Sequence, residues 1–346
     1  AYIHAVCSEL EMRKEYLGGE TIETIYWGGG TPSQLDKEDF ETIFYYLHKN
    51  YSISSHPEIT LEANPDDLTP DYIAMLRTLP FNRLSMGIQT FNESILKVLQ
   101  RRHTARQAIE AFQNCRAAGF QNISIDLMYG LPGETLSTWQ QDLDQALLLH
   151  PEHLSAYHLI YEEDTVLWKL REQHKVEEAD EDLSVSLFST LIDRLTSEGY
   201  DHYEISNFSL PGLYSRHNSS YWTEKKYLGC GPSAHSYNGV SRQWNVASLD
   251  TYIKGISAGT PVFEIEELDL YTRYNDFVIT RIRTEWGMPL SKLRDEFGEK
   301  LYDYCLRMAA PHLKQGTLEL VNDILKLTRK GIFISDGIMS DMLWTD

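Results

Sequence analysis

The chain has 346 residues, 42% of them hydrophobic, and a formal net charge of −20. That composition suffices for a large packed core and excludes a disordered chain, while the acidity argues against a nucleic-acid partner or an anionic membrane surface, since both need a basic face. The four cysteines, Cys7, Cys115, Cys230 and Cys305, are too scattered for a disulfide framework and form no Cys-x-x-Cys pair; with no signal peptide and no transmembrane run, a cytoplasmic protein is expected.

From residue 22 to about 205, short β-branched or aromatic runs alternate with amphipathic stretches, the pattern of parallel strands joined by helical crossovers. Strands are predicted at Thr24–Trp27, Ile59–Ala63, Arg83–Ile88, Asn122–Leu127, His153–Leu159 and Asp201–Ile205. Helices are predicted over 36–50, 70–78, 92–99, 105–118, 135–149 and 183–198, with Asp36 and Thr69-Pro70 as start signals. The expected fold class is α/β, a partial TIM-like (β/α)6 barrel over residues 1–206. Residues 207–262, rich in Gly, Ser, Asn and aromatics, are expected to be a loop-rich elaboration over the site. Residues 263–346 read as a smaller, mainly helical, winged-helix-like C-terminal domain. It holds 15 acidic and 11 basic residues, a net −4, so a packing or lid role is expected in place of nucleic-acid binding.

Ligands of such barrels sit at the carboxyl ends of the strands. The first strand runs into Trp27-Gly28-Gly29-Gly30-Thr31-Pro32-Ser33, where a glycine triplet lets the backbone approach a ligand that any Cβ would displace. The spacing matches neither the dinucleotide fingerprint nor the phosphate loop. Later strand ends carry Glu62-Ala63-Asn64-Pro65, Gly87-Ile88-Gln89-Thr90-Phe91 and Asp126-Leu127-Met128-Tyr129-Gly130-Leu131-Pro132-Gly133, and Arg101 follows Gln89 by twelve residues. One such residue could merely satisfy a loop amide. Four strand ends in register, bearing the glycines, two carboxylates and a carboxamide, with an arginine nearby, suit a zwitterionic, hydroxyl-bearing ligand.

These motifs, together with Tyr-Glu-Ile-Ser-Asn-Phe at residues 203–208, resemble the radical S-adenosylmethionine family of oxygen-independent coproporphyrinogen III oxidases and their relatives. Within it, His217-Asn218-x-x-Tyr221-Trp222 and Gly229-x-Gly231-x-x-Ala234-His235-Ser236 are similar to the HemW branch of haem chaperones. The resemblance implies S-adenosylmethionine as cofactor. Gly29, Gly30 and Thr31 would meet its methionine amino and carboxylate groups, Glu62 the amino group or ribose, Gln89, Arg101 and Asp126 the ribose and carboxylate, and Ile160 the adenine. It also implies a [4Fe-4S] cluster that passes one electron into the sulfonium, giving methionine and a 5′-deoxyadenosyl radical. Haem or porphyrin, an electron donor and a haem-acceptor protein are the partners implied.

The family's Cys-x-x-x-Cys-x-x-Cys motif is absent, and Cys7 leads into an amphipathic helix over Ser8–Lys14 without a further cysteine. The chain is therefore expected to begin just past the cluster loop, lacking the first barrel strand and every metal ligand of the cluster, with Cys7 a buried helix thiol. His217 and His235, with Cys230 near in sequence, are candidate haem ligands, although each histidine also reads as ordinary loop packing. Tyr221, Trp222, Tyr227, Tyr237 and Trp244 could make a porphyrin face or a satellite core. No catalytic residue is assigned. Three readings stand: a haem chaperone, an oxygen-independent coproporphyrinogen III oxidase, and a cluster-less nucleoside-binding relative.

Overall fold

A computed structural model describes residues 1–345. Strands β1 (Ile22–Trp27), β2 (Ile53–Ala63), β3 (Arg83–Gln89), β4 (Ile123–Tyr129), β5 (His153–His158), β6 (Asp201–Glu204) and β7 (Asn207–Ser209) form one sheet in the order β1-β2-β3-β4-β5-β7-β6. Strands β2 to β5 pair in parallel, whereas β7 is antiparallel to both β5 and β6. All six strands read from the alternation are present. The sixth departs from expectation: it joins the sheet through β7, in a tight hairpin, and not as another parallel repeat. Three residues are too few for a periodicity to register, so β7 fell within the stretch read as loop.

The sheet has two chemically distinct faces, because side chains alternate along each strand. Ile59, Leu61, Leu84, Met86, Ile123, Ile125, Leu127 and Leu154 are buried and apolar. Their neighbours in the same strands are Thr60, Glu62, Arg83, Ser85, Ser124, Asp126, His153 and Ser155, and the register sets Glu62 beside Ser85, Ser85 beside Ser124, and Asp126 beside Ser155. One face is thus a core and the other a polar lining.

Helices α1 (Tyr2–Met12), α2 (Lys37–Asn50), α3 (Pro70–Leu76), α4 (Glu93–Val98), α5 (Ala105–Ala117), α6 (Leu136–Leu149), α7 (Val166–Glu172) and α8 (Glu181–Ser197) lie between or before these strands. Their starts follow local chemistry: Asp36 and Thr104 close capping boxes on α2 and α5, and Thr69 caps α3 with Pro70 in its first turn. Helix α7 has seven residues and no buried one, so no periodic stripe announced it.

The chain divides into two compact units interleaved in sequence, Thr24–Leu35 with Glu58–Ser215, and Ala1–Glu23 with Asp36–Pro57 and Arg216–Asp346. In the second unit, the stretch read as loop contains α9 (Arg216–Trp222), β8 (His235–Tyr237), β9 (Ser241–Asn245) and α10 (Leu249–Ser257), and β8 and β9 form an antiparallel sheet with β10 (Phe263–Glu267). Its buried residues are polar, Ser236, Ser241, Gln243 and Asn245, which hid the alternation. Asn245 donates to Glu9 of α1, wholly buried, which also accepts from Arg13, Tyr252 and the Gly231 N–H, while Gln243 accepts from Arg13. Cys7, on the same helix, is buried as expected.

The C-terminal part contains α11 (Leu270–Ile282), β11 (Met288–Pro289), α12 (Leu290–Gln315), β12 (Leu318–Val321), β13 (Ile324–Leu327), α13 (Arg329–Ile332) and α14 (Ser335–Met342) around one apolar cluster. Helix α12 is broken in direction by Gly298 at φ 79°. The hairpin of β12 and β13 closes through Asn322 and Asp323, both at positive φ, as a two-residue turn of matching twist requires.

Candidate functional site

At the carboxyl end of the sheet, Glu62 is held by β1 and the glycine turn that follows it. Tyr26 Oη donates to its Oε1 at 2.6 Å, and the Gly29 N–H reaches Oε2 at 3.3 Å. Burial, then the Glu62 charge, drives the Tyr26 phenol far above its ordinary value, so it remains a donor. Gly28 fits only because it lacks a side chain: a Cβ there would stand 2.6 Å from Tyr26 Cε1 and 2.7 Å from Glu62 Cδ. Gly29 turns the chain at φ +78°, and no heavy atom lies within 4 Å of a Cβ built on Gly30. Thr31 precedes the short turn Pro32–Gln34, which Asp67 ties down by accepting from Ser33 Oγ at 2.7 Å and Gln34 Nε2 at 2.6 Å.

Gln89 ends β3 at φ +71°, next to a break in register with β4. Its carboxamide and the Arg101 guanidinium lie together over Gly87, where a Cβ would come within 3.1 Å of Gln89 Nε2 and 3.4 Å of Arg101 Nη2. Arg101 Nη2 donates to Gly87 O at 2.7 Å and Asn64 Oδ1 at 2.8 Å, while its buried Nε has no partner among the described residues. Burial lowers its pKa, with Arg102 adding to the fall and Asp66 and Asp67 opposing it.

Asp126, on β4, accepts from Ser85 Oγ at 3.3 Å and from Ser155. Some of its surface stays accessible, yet protein surrounds it closely enough that burial pushes its carboxyl up to about 6; the Glu62 charge adds to this, and Ser155, Arg83 and Ser85 oppose it. Beyond β5, Ile160 is 75% exposed and lines a cleft of about 280 Å³ with Val98, Leu99, Val166 and Leu167. Glu62 therefore meets the glycine turn directly, Gln89 and Arg101 share the space over Gly87, and Asp126 lies on the same sheet face as Glu62; Thr31 follows the glycines, and Ile160 lies in the cleft beyond β5.

This arrangement fits a zwitterion carrying hydroxyls. Glu62 keeps acceptor capacity for an ammonium, Arg101 is a cation with an unpartnered donor, Asp126 and Gln89 face the same lining, and Gly28 to Gly30 leave room for close approach. Tyr26, Ser85, Ser155, Asn64 and Asp67 complete the site and were not singled out from sequence. Two of them were accessible to strand period, since Ser85 and Ser155 follow from placing Asp126 and Glu62 on one face.

A [4Fe-4S] cluster does not fit the described residues. No group of three His, Cys, Asp or Glu side chains among them could hold a metal ion. Burial raises the thiol pKa values of Cys7, Cys115 and Cys305, to about 12 for Cys115 and about 11 for Cys305, which opposes the thiolate that iron ligation needs.

In the second unit, His217 on α9 is half-buried, with Nε2 2.9 Å from Tyr221 Oη and its ring edge-on to that tyrosine. Tyr221 packs edge-on to Tyr227, which meets Tyr237, and the Arg283 guanidinium lies 4.3 Å from the Trp222 ring centre. His235 on β8 is exposed and stacks on Trp244. The two histidines thus belong to separate aromatic groups.

Residues 7–146 match the Radical SAM superfamily, and residues 268–334 match the HemN C-terminal domain. A protein named heme chaperone HemW from Mycobacterium tuberculosis is 32% identical, the aligned region covering 99% of this chain and 86% of the relative. Another of that name, from Lactococcus lactis subsp. lactis, is 32% identical over 100% of this chain and 90% of the relative. The solved structure of the radical SAM enzyme coproporphyrinogen III oxidase HemN from Escherichia coli superposes with a TM-score of 0.84, covering 99% of this chain and 82% of that one, at 23% identity.

Proposed function

The chain belongs to the radical SAM family and, within it, to the HemW proteins, and from that premise we propose that it is a haem chaperone that uses S-adenosylmethionine at the carboxyl end of its main sheet. The carrying observation is similarity at 32% identity to two heme chaperones along essentially the whole chain. The coproporphyrinogen III oxidase reading rests on a 23% identical structure, which supports the fold alone.

In this reading Glu62 accepts from the methionine ammonium, with Tyr26 fixing the carboxylate's orientation through its 2.6 Å bond. Arg101, anchored on Gly87 O and Asn64, holds the methionine carboxylate. Gln89 and Asp126 take the ribose hydroxyls, and a hydroxyl donated to Asp126 favours its ionised form against the burial that raises its pKa to about 6. Gly29, Gly30 and Thr31 form the close wall, and Ile160 gives an apolar face for adenine. Bound S-adenosylmethionine supplies a reducible sulfonium.

Haem is the cargo, and His217 or His235 is its ligand. Iron on His217 Nε2 would take that nitrogen from Tyr221, whereas the exposed His235 ring needs no such exchange. An electron donor and a haem-acceptor protein are the further partners, with the cytoplasm as the setting; among the described residues no helix is long and apolar enough to cross a membrane.

The test is a pair of anaerobic titrations of the full-length protein, S-adenosylmethionine by calorimetry and haem by its Soret band. Saturable binding of both supports the reading. A protein that takes up S-adenosylmethionine but no haem would not be a haem chaperone.

A further inference from the structure

Gln89 holds a backbone conformation, φ +71°, that residues with side chains rarely adopt, at a point where the β3–β4 register skips a residue. Such a conformation persists only when its surroundings over-determine it. The restraint comes from the next two residues. Thr90 Oγ1 and the Phe91 N–H donate to the two carboxylate oxygens of Asp142, the latter at 2.9 Å, and the Asn92 N–H donates to Thr90 Oγ1 at 3.0 Å. Asp142 lies on α6, 52 residues along the chain from Thr90, and is 4% exposed. A buried carboxylate of this kind is tolerated because both oxygens are bonded, and it makes the turn rigid in return.

We propose that Asp142 is a positioning residue for S-adenosylmethionine: by clamping the Thr90–Phe91 turn it keeps Gln89 left-handed, with its carboxamide over Gly87 beside Arg101. This rests on the reading of Gln89 as a cofactor contact. Asp142 itself meets no ligand; its partners are the turn residues behind Gln89. Two acceptors are needed, one for a hydroxyl and one for an amide N–H. Asparagine can accept from only one of the two donors: accepting from the Phe91 N–H, it presents its amide N–H to Thr90 Oγ1 and leaves the hydroxyl hydrogen without its acceptor, which weakens the clamp.

The experiment is a double-mutant cycle on the full-length holo-protein, with Gln89→Ala, Asp142→Asn and the pair, read as S-adenosylmethionine affinity. Asp142→Asn is expected to weaken binding about tenfold when Gln89 is present, and by less than about twofold when Gln89 is already alanine. Haem affinity should not change, and hydrogen exchange at residues 89–92 should accelerate. Thr90→Val, which removes one of the two donors, should give a smaller loss with the same dependence on Gln89, and guards against misfolding of the Asp142 variant. Equal losses in both backgrounds would mean that Asp142 acts by general stability, and unchanged affinity would mean that it does not act at all; either overturns the proposal. If Gln89→Ala binds as tightly as the parent, the cofactor role of Gln89 is itself wrong, and the clamp falls with it.

Discussion

Asp126→Asn is expected to stabilise the ligand-free protein while weakening S-adenosylmethionine binding. The Asp126 carboxyl rises from 3.8 to about 6 in the fold, burial being the largest cause. A raised folded-state pKa means that the native protein binds this proton more tightly than the unfolded chain. The stability contribution is therefore complete below the unfolded value, near 4, and is lost as pH rises through about 4 to 6. Two pH units at about 1.36 kcal/mol each correspond to roughly 3 kcal/mol forgone by neutral pH. Asparagine has no charge to desolvate and still accepts from Ser85 and Ser155, so about 1–3 kcal/mol should be regained, on the scale of that linkage. It is a poorer acceptor for a ribose hydroxyl, which should cost about 1–3 kcal/mol of binding, or roughly five- to 150-fold in affinity. Urea unfolding near pH 7.5 and again near pH 4.5, with a calorimetric titration at the higher pH, measures all three quantities. The stability gain should be full at the higher pH and fall to about a third of that at the lower. A variant less stable than the parent at neutral pH, or a gain independent of pH, would refute the assignment of Asp126 as a carboxylate kept charged at the fold's expense.

Gly28→Ala places a Cβ 2.6–2.7 Å from Tyr26 and Glu62, so it should separate that pair, lower stability by about 1–3 kcal/mol and weaken S-adenosylmethionine about tenfold; Gly30→Ala, with open space around its Cβ, should unfold at the parent's denaturant midpoint. Glu9→Gln leaves Arg13 buried without its charge partner and disturbs four hydrogen bonds, so urea unfolding should show a loss of about 3–5 kcal/mol; a loss under about 1 kcal/mol would mean that the network is dispensable. For haem, alanine at the ligating histidine, His217 or His235, should shift the Soret band and weaken binding, and whichever variant keeps the parent spectrum is removed as a ligand.

The parallel part of the sheet was legible because Ile59, Leu61, Leu84, Met86, Ile123 and Ile125 alternate with polar residues and capping signals at Asp36, Thr69 and Thr104 separate the repeats. The same alternation brought Glu62 and Asp126 to one face, and Ser85 with them. Strand β7 escaped because it is three residues long. The sheet of β8, β9 and β10 escaped because it buries polar residues, with Asn245 and Gln243 bonded to Glu9 and Arg13 more than 200 residues away, and no local pattern encodes such partners. Asp142 was hidden for the same reason: in sequence it is one acidic residue on an amphipathic helix, and only the fold sets it against Thr90 and Phe91.

The most direct measurement takes the full-length protein, reconstituted without oxygen, titrates it with haem, and separately supplies coproporphyrinogen III with S-adenosylmethionine and a reductant. The chaperone reading predicts stoichiometric haem binding, transfer of that haem to an apo-acceptor, and no protoporphyrinogen. Turnover of coproporphyrinogen III that depends on S-adenosylmethionine, in a protein that does not retain haem, would contradict it.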